Sequence, residues 1–205
     1  MDEIRIIPKP DWLSWDEIQE CIHAAQLTNN KRGFDMLFGH STGEKLKESL
    51  KEGYCLVALN ENNKVVGTLS LKIYDIKFWW HKGKAGLQCY EGILPEYRGS
   101  EVYFELHEKL DEIEDELGLN VIWATTSEFN EVVKKLQNKQ GWKIVQCIAS
   151  PRNGDYFSVV MVKWKSKCPF TDRRINLMYK ISDKLVRLKY KVSDEGKKNR
   201  FKLWK

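Results

Sequence analysis

The stretch Leu94–Leu110, "LPEYRGSEVYFELHEKL", decides the fold. An apolar strand runs into Pro95, turns at Arg98-Gly99 and becomes a helix. Val102, Leu106, Leu110, Ile113 and Leu117 recur on one helical stripe, and Gly118 stops it. The first-turn amides of such a helix lack internal partners and sit at the favourable end of its dipole for an anion. The same order of elements also makes an ordinary strand-to-helix connection, and both readings stand at this point.

Working outward, residues 3–7 read as a short strand stopped by Pro8 and Pro10. Ser14 with Glu17 is a capping box, and Trp15, Ile18, Ile22 and Ala25 follow at helical spacing. Residues 28–41 read as a loop. "GEKLKESLKEG" is a short helix with Leu46 and Leu50 on one face, ended by Gly53. Residues 54–59 and 65–76 form a hairpin, and a tryptophan-rich connection leads to a strand ending at Leu94. That strand alternates, with Leu87, Cys89 and Glu91 on one face and Gln88, Tyr90 and Gly92 on the other. "LNVIWATT" is a continuous apolar run, as expected of a strand covered on both faces. A helix follows with Phe129, Val132, Val133 and Leu136 inward, ending at Gly141. A hairpin around "SPRNGD" completes the order β-α-α-β-β-β-α-β-α-β-β, whose parallel crossover spans residues 88–125.

The totals bound the reading. The chain has 205 residues, 42% of them hydrophobic, which suits a packed domain. A net charge of +5 is mild and does not by itself argue for nucleic acid. "MDEIRIIPKPDW" is acidic and then proline-broken, so no signal peptide is expected, and no apolar run approaches a membrane span. The five cysteines are scattered without a CxxC pair, which argues against a metal site or disulfide framework. Buried thiols in a reducing cytoplasm are the simplest expectation.

The run Ile93–Leu106 resembles the acetyl-coenzyme-A motif of the GNAT N-acetyltransferase superfamily, V-x-P-x-Y-R-G-x-G-x-G/A-x-x-L. Ile93, Pro95, Tyr97, Arg98, Gly99 and Leu106 carry it. Asn130, Val133, Leu136, Gln137, Gly141 and Trp142 match the family's next segment in spacing. The resemblance covers residues 3–164. It implies an α/β (α+β) fold, with a GNAT-like mixed, mostly antiparallel sheet of about seven strands flanked by helices. It places this domain at residues 1–166 and leaves residues 167–205 as a basic amphipathic C-terminal extension.

The resemblance also implies roles. The backbone of Ile93 and Leu94 would pair with the pantetheine arm of acetyl-CoA or another acyl-CoA. The amides of Arg98, Gly99, Ser100, Glu101, Val102 and Tyr103 would face its pyrophosphate, and Asn130 would lie near the arm. Glu91 would be the catalytic base for a primary amine acceptor, because an ammonium has no lone pair with which to attack a thioester. No metal is implied. Glu101 stands where the family has glycine, and its carboxylate would compete for the helix terminus. Tyr103 fills a second small position, where its ring would crowd the approach. Gln137 replaces a proton-donating tyrosine, so no general acid is assigned.

Other features admit two readings each. Trp79, Trp80 and His81 form either an aromatic wall for a sugar-like acceptor or a hydrophobic loop covering the core or a dimer contact. Lys31–His40 has the length and glycines of a lid, and His40 and His81 are weak candidate bases. Residues 171–191 form an amphipathic helix, with Leu177, Met178, Ile181, Leu185 and Leu188 on one face. Asn176, Lys180, Asp183, Lys184 and Arg187 lie on the other, and a basic "GKKNRFKLWK" follows. That helix docks on the sheet or another subunit, or lies on an anionic membrane surface. The expected function is acetyl-CoA-dependent transfer of an acyl group to the amine of a small molecule or amino sugar, by direct attack, in the cytoplasm. The rival is a non-catalytic module of the same fold that binds a partner or membrane surface.

Overall fold

A computed structural model describes residues 3–30, 42–149 and 157–192. The proposed lid at 31–40, the "SPRNGD" turn and the final basic tail lie outside the described residues. The chain divides into two compact units, Met1–Asn120 and Val121–Lys205. Among the described residues, seven strands and five α-helices form a mixed α/β fold with mostly antiparallel pairing.

In the first unit, β1 (Arg5–Pro8), β2 (Tyr54–Leu59), β3 (Val65–Phe78) and β4 (His81–Ile93) pair in sequence, all antiparallel. Pro8 is the last paired residue of β1, which an edge strand tolerates. Helix α1 (Trp15–Asn30) starts at the expected capping box. The Ser14 amide donates to Glu17 Oε2 (3.1 Å), and the Glu17 amide donates to Ser14 Oγ (3.1 Å). It runs three residues into the stretch expected to be loop. Helix α2 (Gly43–Ser49) stops before Gly53 and buries both Leu46 and Leu50. Helix α3 (Val102–Glu116) begins after the turn and ends at Gly118, whose φ of +64° suits a residue without Cβ.

The expected tryptophan-rich connection is a two-residue turn. β3 continues to Phe78 and β4 begins at His81, so only Trp79 and Trp80 remain between them. Trp80 is 2% exposed and stacks on Phe78 with ring centroids 5.0 Å apart. His81 Nε2 lies 3.0 Å from the Lys84 carbonyl. Trp80 therefore serves the hairpin and presents no open wall.

The largest correction concerns β4. Ser70 pairs with Cys89, but Thr68 pairs with Gly92, so β4 carries one extra residue. Tyr90, at φ +53°, is that bulge. Up to Cys89 the alternation holds. Beyond the bulge it reverses, and a Cβ on Gly92 would meet the α1 backbone at Ile22 Cα, 3.1 Å away. Glu91 thereby crosses to the α3 face, the face on which Gln88 donates to Glu114 Oε1 at 2.8 Å. Glu91 and Cys89 do not share a face, as simple alternation required.

In the second unit, β5 (Val121–Ser127) and β6 (Lys143–Ala149) both pair antiparallel with β7 (Phe157–Trp164). Helix α4 (Glu131–Lys139) turns Phe129 (48% exposed) and Val132 (65%) outward, not inward as expected. Gln137 and Trp142 take the buried positions instead. Helix α5 (Asp172–Val192) packs against β6, so the terminal helix docks on the sheet of its own unit.

Candidate active site

The 94–103 segment builds the first part of the site. Leu94 donates its amide to the Val66 carbonyl (2.9 Å), and its carbonyl accepts from Tyr97 (3.0 Å). Pro95–Tyr97 is a single 3-10 turn. Arg98 turns its side chain back, donating from Nη2 to the Ala25 carbonyl of α1 at 2.6 Å. Gly99 then takes φ +80°, a conformation that costs a side-chain-bearing residue energy, and open space surrounds it. Ser100 Oγ donates to the Tyr97 carbonyl (2.6 Å) and accepts from the Val102 amide (3.4 Å).

This folding leaves a row of donors. The amides of Gly99, Glu101, Tyr103 and Phe104 make no hydrogen bond among the described residues. They gather at the amino end of a fifteen-residue helix, where its dipole favours negative charge. Glu101 is exposed and makes no side-chain capping bond. The Tyr103 ring packs on the His107 ring one turn along the helix, centroids 4.4 Å apart. It is thus turned onto its own helix, away from the crowding role expected of it.

The second part of the site is polar and largely buried. Glu91 Oε2 lies 3.7 Å from His107 Nε2, with the Glu91 side chain 30% exposed and that of His107 6%. His107 Nε2 and Tyr103 Oη are buried and have no hydrogen-bond partner among the described residues. Burial, and then the nearby Glu91 carboxylate, push the Tyr103 hydroxyl far above the ordinary phenol range. It stays a neutral donor. One carboxylate with open lone pairs thus faces two polar groups, partly open to solvent. A gap of 3.7 Å is longer than a hydrogen bond, but such gaps close when a ligand binds.

Sequence reasoning named Glu91 and did not name His107, which the structure places 3.7 Å from it. The missing signal was its spacing: position 107 lies one turn beyond Tyr103 and adjoins buried Leu106. In the second unit, Asn130 caps α4. Its Oδ1 accepts from the Val133 amide (3.3 Å) and its Nδ2 donates to Thr126 Oγ1 (3.0 Å), so both ends of the carboxamide serve the cap. Among the described residues no cluster of His, Cys, Asp and Glu could hold a metal ion.

Residues 15–142 match the model of the acetyltransferase (GNAT) family. The chain belongs to this family. It is an acetyltransferase by that membership, and the family uses acetyl-CoA. Solved structures agree in fold. An acetyltransferase of the GNAT family from Staphylococcus aureus aligns with TM-score 0.63 at 15% identity, over 80% of this chain and 100% of its own. An acetyltransferase from Streptococcus agalactiae aligns with TM-score 0.59 at 20% identity, over 78% and 98%. The NatC complex bound to Gag peptide and CoA contains a chain that aligns with TM-score 0.63 at 12% identity, over 80% and 99%. No curated protein matches the sequence.

Burial holds Cys21, Cys55, Cys89 and Cys147 of this acetyltransferase as neutral thiols. Burial pushes Cys21, Cys89 and Cys147 up to about 12 from the ordinary 9.0, with Glu96 adding at Cys21 and Asp183 at Cys147. Unfolding would release these thiols to ionise above 9.0, while the folded chain holds their protons. Their stabilising contribution is therefore complete below 9.0 and lost as pH climbs toward about 12. The expected result is a melting temperature that falls steadily above about pH 9. A melting temperature unchanged between about pH 8 and 11 would contradict it.

Proposed function

We propose that this chain transfers an acetyl group from acetyl-CoA to a primary amine of a small molecule or amino sugar, by direct attack. The observation that carries the reading is the row of free amides at Gly99, Glu101, Tyr103 and Phe104. Four donors at a helix amino terminus fit a pyrophosphate, and the open space at Gly99 lets it approach the backbone. With both backbone groups of Leu94 bonded, Ile93 and the second lone pair of the Leu94 carbonyl remain for the pantetheine arm. Bound acetyl-CoA supplies an acyl thioester.

The chain's own residues supply the proton chemistry. Glu91, partly open to solvent, accepts a proton from the acceptor ammonium and frees its lone pair. His107 Nε2 orients that carboxylate, and the neutral Tyr103 hydroxyl offers a donor beside it. Cys89, on the strand before the turn, is held as a neutral thiol unsuited to carrying the acyl group, which supports direct attack.

The test is release of free thiol from acetyl-CoA in the presence of a panel of amino sugars, polyamines and peptide amines. Amine-dependent release supports the reading, and release with none of them argues for a non-catalytic module. A companion result is expected at Glu101. Its exposed carboxylate stabilises the helix terminus by about 0.5 kcal/mol but repels an incoming pyrophosphate. Glu101→Gln should therefore tighten coenzyme binding by about threefold while slightly lowering the melting temperature of the free protein. Calorimetry with both proteins checks this, and weaker binding would contradict it.

A further inference from the structure

We propose that α5 is a membrane-surface element that lies in the headgroup layer of an anionic bilayer through its Leu177, Ile181, Leu185 and Leu188 stripe. A terminal amphipathic helix normally docks by its apolar face. Helix α5 docks by one face, around buried Ile175, and leaves a second apolar stripe outside that contact. Toward its own unit it turns Ile175, Tyr179 and Ser182, whose Oγ accepts from the Cys147 amide at 3.0 Å. Arg187 joins the same side, bonding Glu128 Oε2 at 2.5 Å and Asp183 Oδ1 at 2.7 Å. Burial works against the Arg187 charge, and the bonds to Glu128 and Asp183 outweigh it. The docking combines buried Ile175 and the Phe157–Tyr190 ring contact with these polar bonds, and none of the four stripe residues is buried in it.

The stripe is left on the opposite side. Leu177, Ile181, Leu185 and Leu188 are 56%, 41%, 60% and 60% exposed. At 100° per residue they fall within one narrow sector, roughly opposite the sector of Ile175, Tyr179 and Ser182. From Leu177 to Leu188 the stripe runs about 17 Å along the 21-residue helix.

Charge identifies what covers it. The exposed charges of α5 are Arg173, Arg174, Lys180, Lys184, Lys189 and Lys191 against Asp172 alone. Arg173, Lys180, Lys184 and Lys191 line one edge of the stripe and Lys189 the other, while Arg174 falls in the stripe's own sector just before Leu177. Residues 193–205 add five lysines and arginines against two acidic residues. An apolar stripe with lysine edges matches lipid headgroups, since the stems bury and the ammonium groups reach the phosphates. A second copy of the helix would bring like charges together along both edges. Among the described residues no helix is long and apolar enough to cross a membrane, so α5 would lie on the surface rather than span.

The experiment is co-sedimentation of the full chain with extruded vesicles of phosphatidylcholine alone, or with about 30% phosphatidylserine. The expected result is binding to the anionic vesicles only, reversed by roughly 0.5 M salt. A Leu185→Glu/Leu188→Glu double variant should lose at least about tenfold in partitioning. These positions are exposed, so the variant should keep its melting temperature. A Lys180→Ala/Lys184→Ala variant should weaken binding without touching the stripe. No binding of the natural chain to anionic vesicles would overturn the proposal. So would equal partitioning of the leucine variant, or a dimer in solution that the same variant dissociates.

Discussion

Glu91→Gln is expected to lower kcat by about a hundredfold, the usual contribution of a positioned general base. The substitution keeps the size and hydrogen-bonding oxygen of the side chain and removes its ability to accept a proton from an ammonium. Coenzyme affinity should not change, because the amides from Gly99 to Phe104 belong to another part of the turn. The side chain is 30% exposed, so the variant should also keep its stability. Steady-state rates with acetyl-CoA and the best amine of the panel check this. An unchanged kcat would remove Glu91 from the chemistry. A parallel loss of coenzyme affinity would mean that the residue shapes the turn instead.

The second large effect is structural. Gly92→Val is expected to destabilise the protein by about 3 kcal/mol through overpacking. For a chain of this size that lowers the melting temperature by roughly 6–12 °C. The reason is the Tyr90 bulge, which turns Gly92 against α1, where a Cβ would stand 3.1 Å from Ile22 Cα and 3.4 Å from Ala25 Cβ. The backbone of α1 cannot yield as a flexible side chain would. Thermal melts of Gly92→Val decide the point, and a melting temperature equal to that of the natural chain would mean that Gly92 does not face α1. The same bulge carries Glu91 to the α3 face, so this stability measurement also bears on the active site.

How much was legible in the sequence follows from how local each signal is. The Ser14–Glu17 capping box was readable because both partners lie within one helical turn. Gly118 was readable because a positive φ at a helix end calls for glycine. The bulge was not, since alternation in "LQCYEG" looks regular and nothing in it marks Tyr90 as an extra residue. The buried polar groups of α3 were hidden for a related reason. A stripe reading favours Ile113 and Leu117, whereas Glu114 is fully buried because Gln88, 26 residues earlier, meets it across the layer. The docking side of α5 was hidden too, because it depends on Arg187 reaching Glu128, 59 residues away. The strand, turn and helix of residues 94–116 were legible in outline. Which of the turn's amides stay free depends on the Ser100 side chain bonding Tyr97 and Val102, a detail of geometry.

The central claim is that the amides at the amino end of α3 hold the coenzyme. An amide-resolved NMR titration of the isotope-labelled protein with coenzyme A tests it most directly. The account predicts progressive shifts concentrated at Gly99, Glu101, Tyr103 and Phe104, saturating below about 1 mM coenzyme. Unmoved signals at those four residues with coenzyme at that concentration would contradict it.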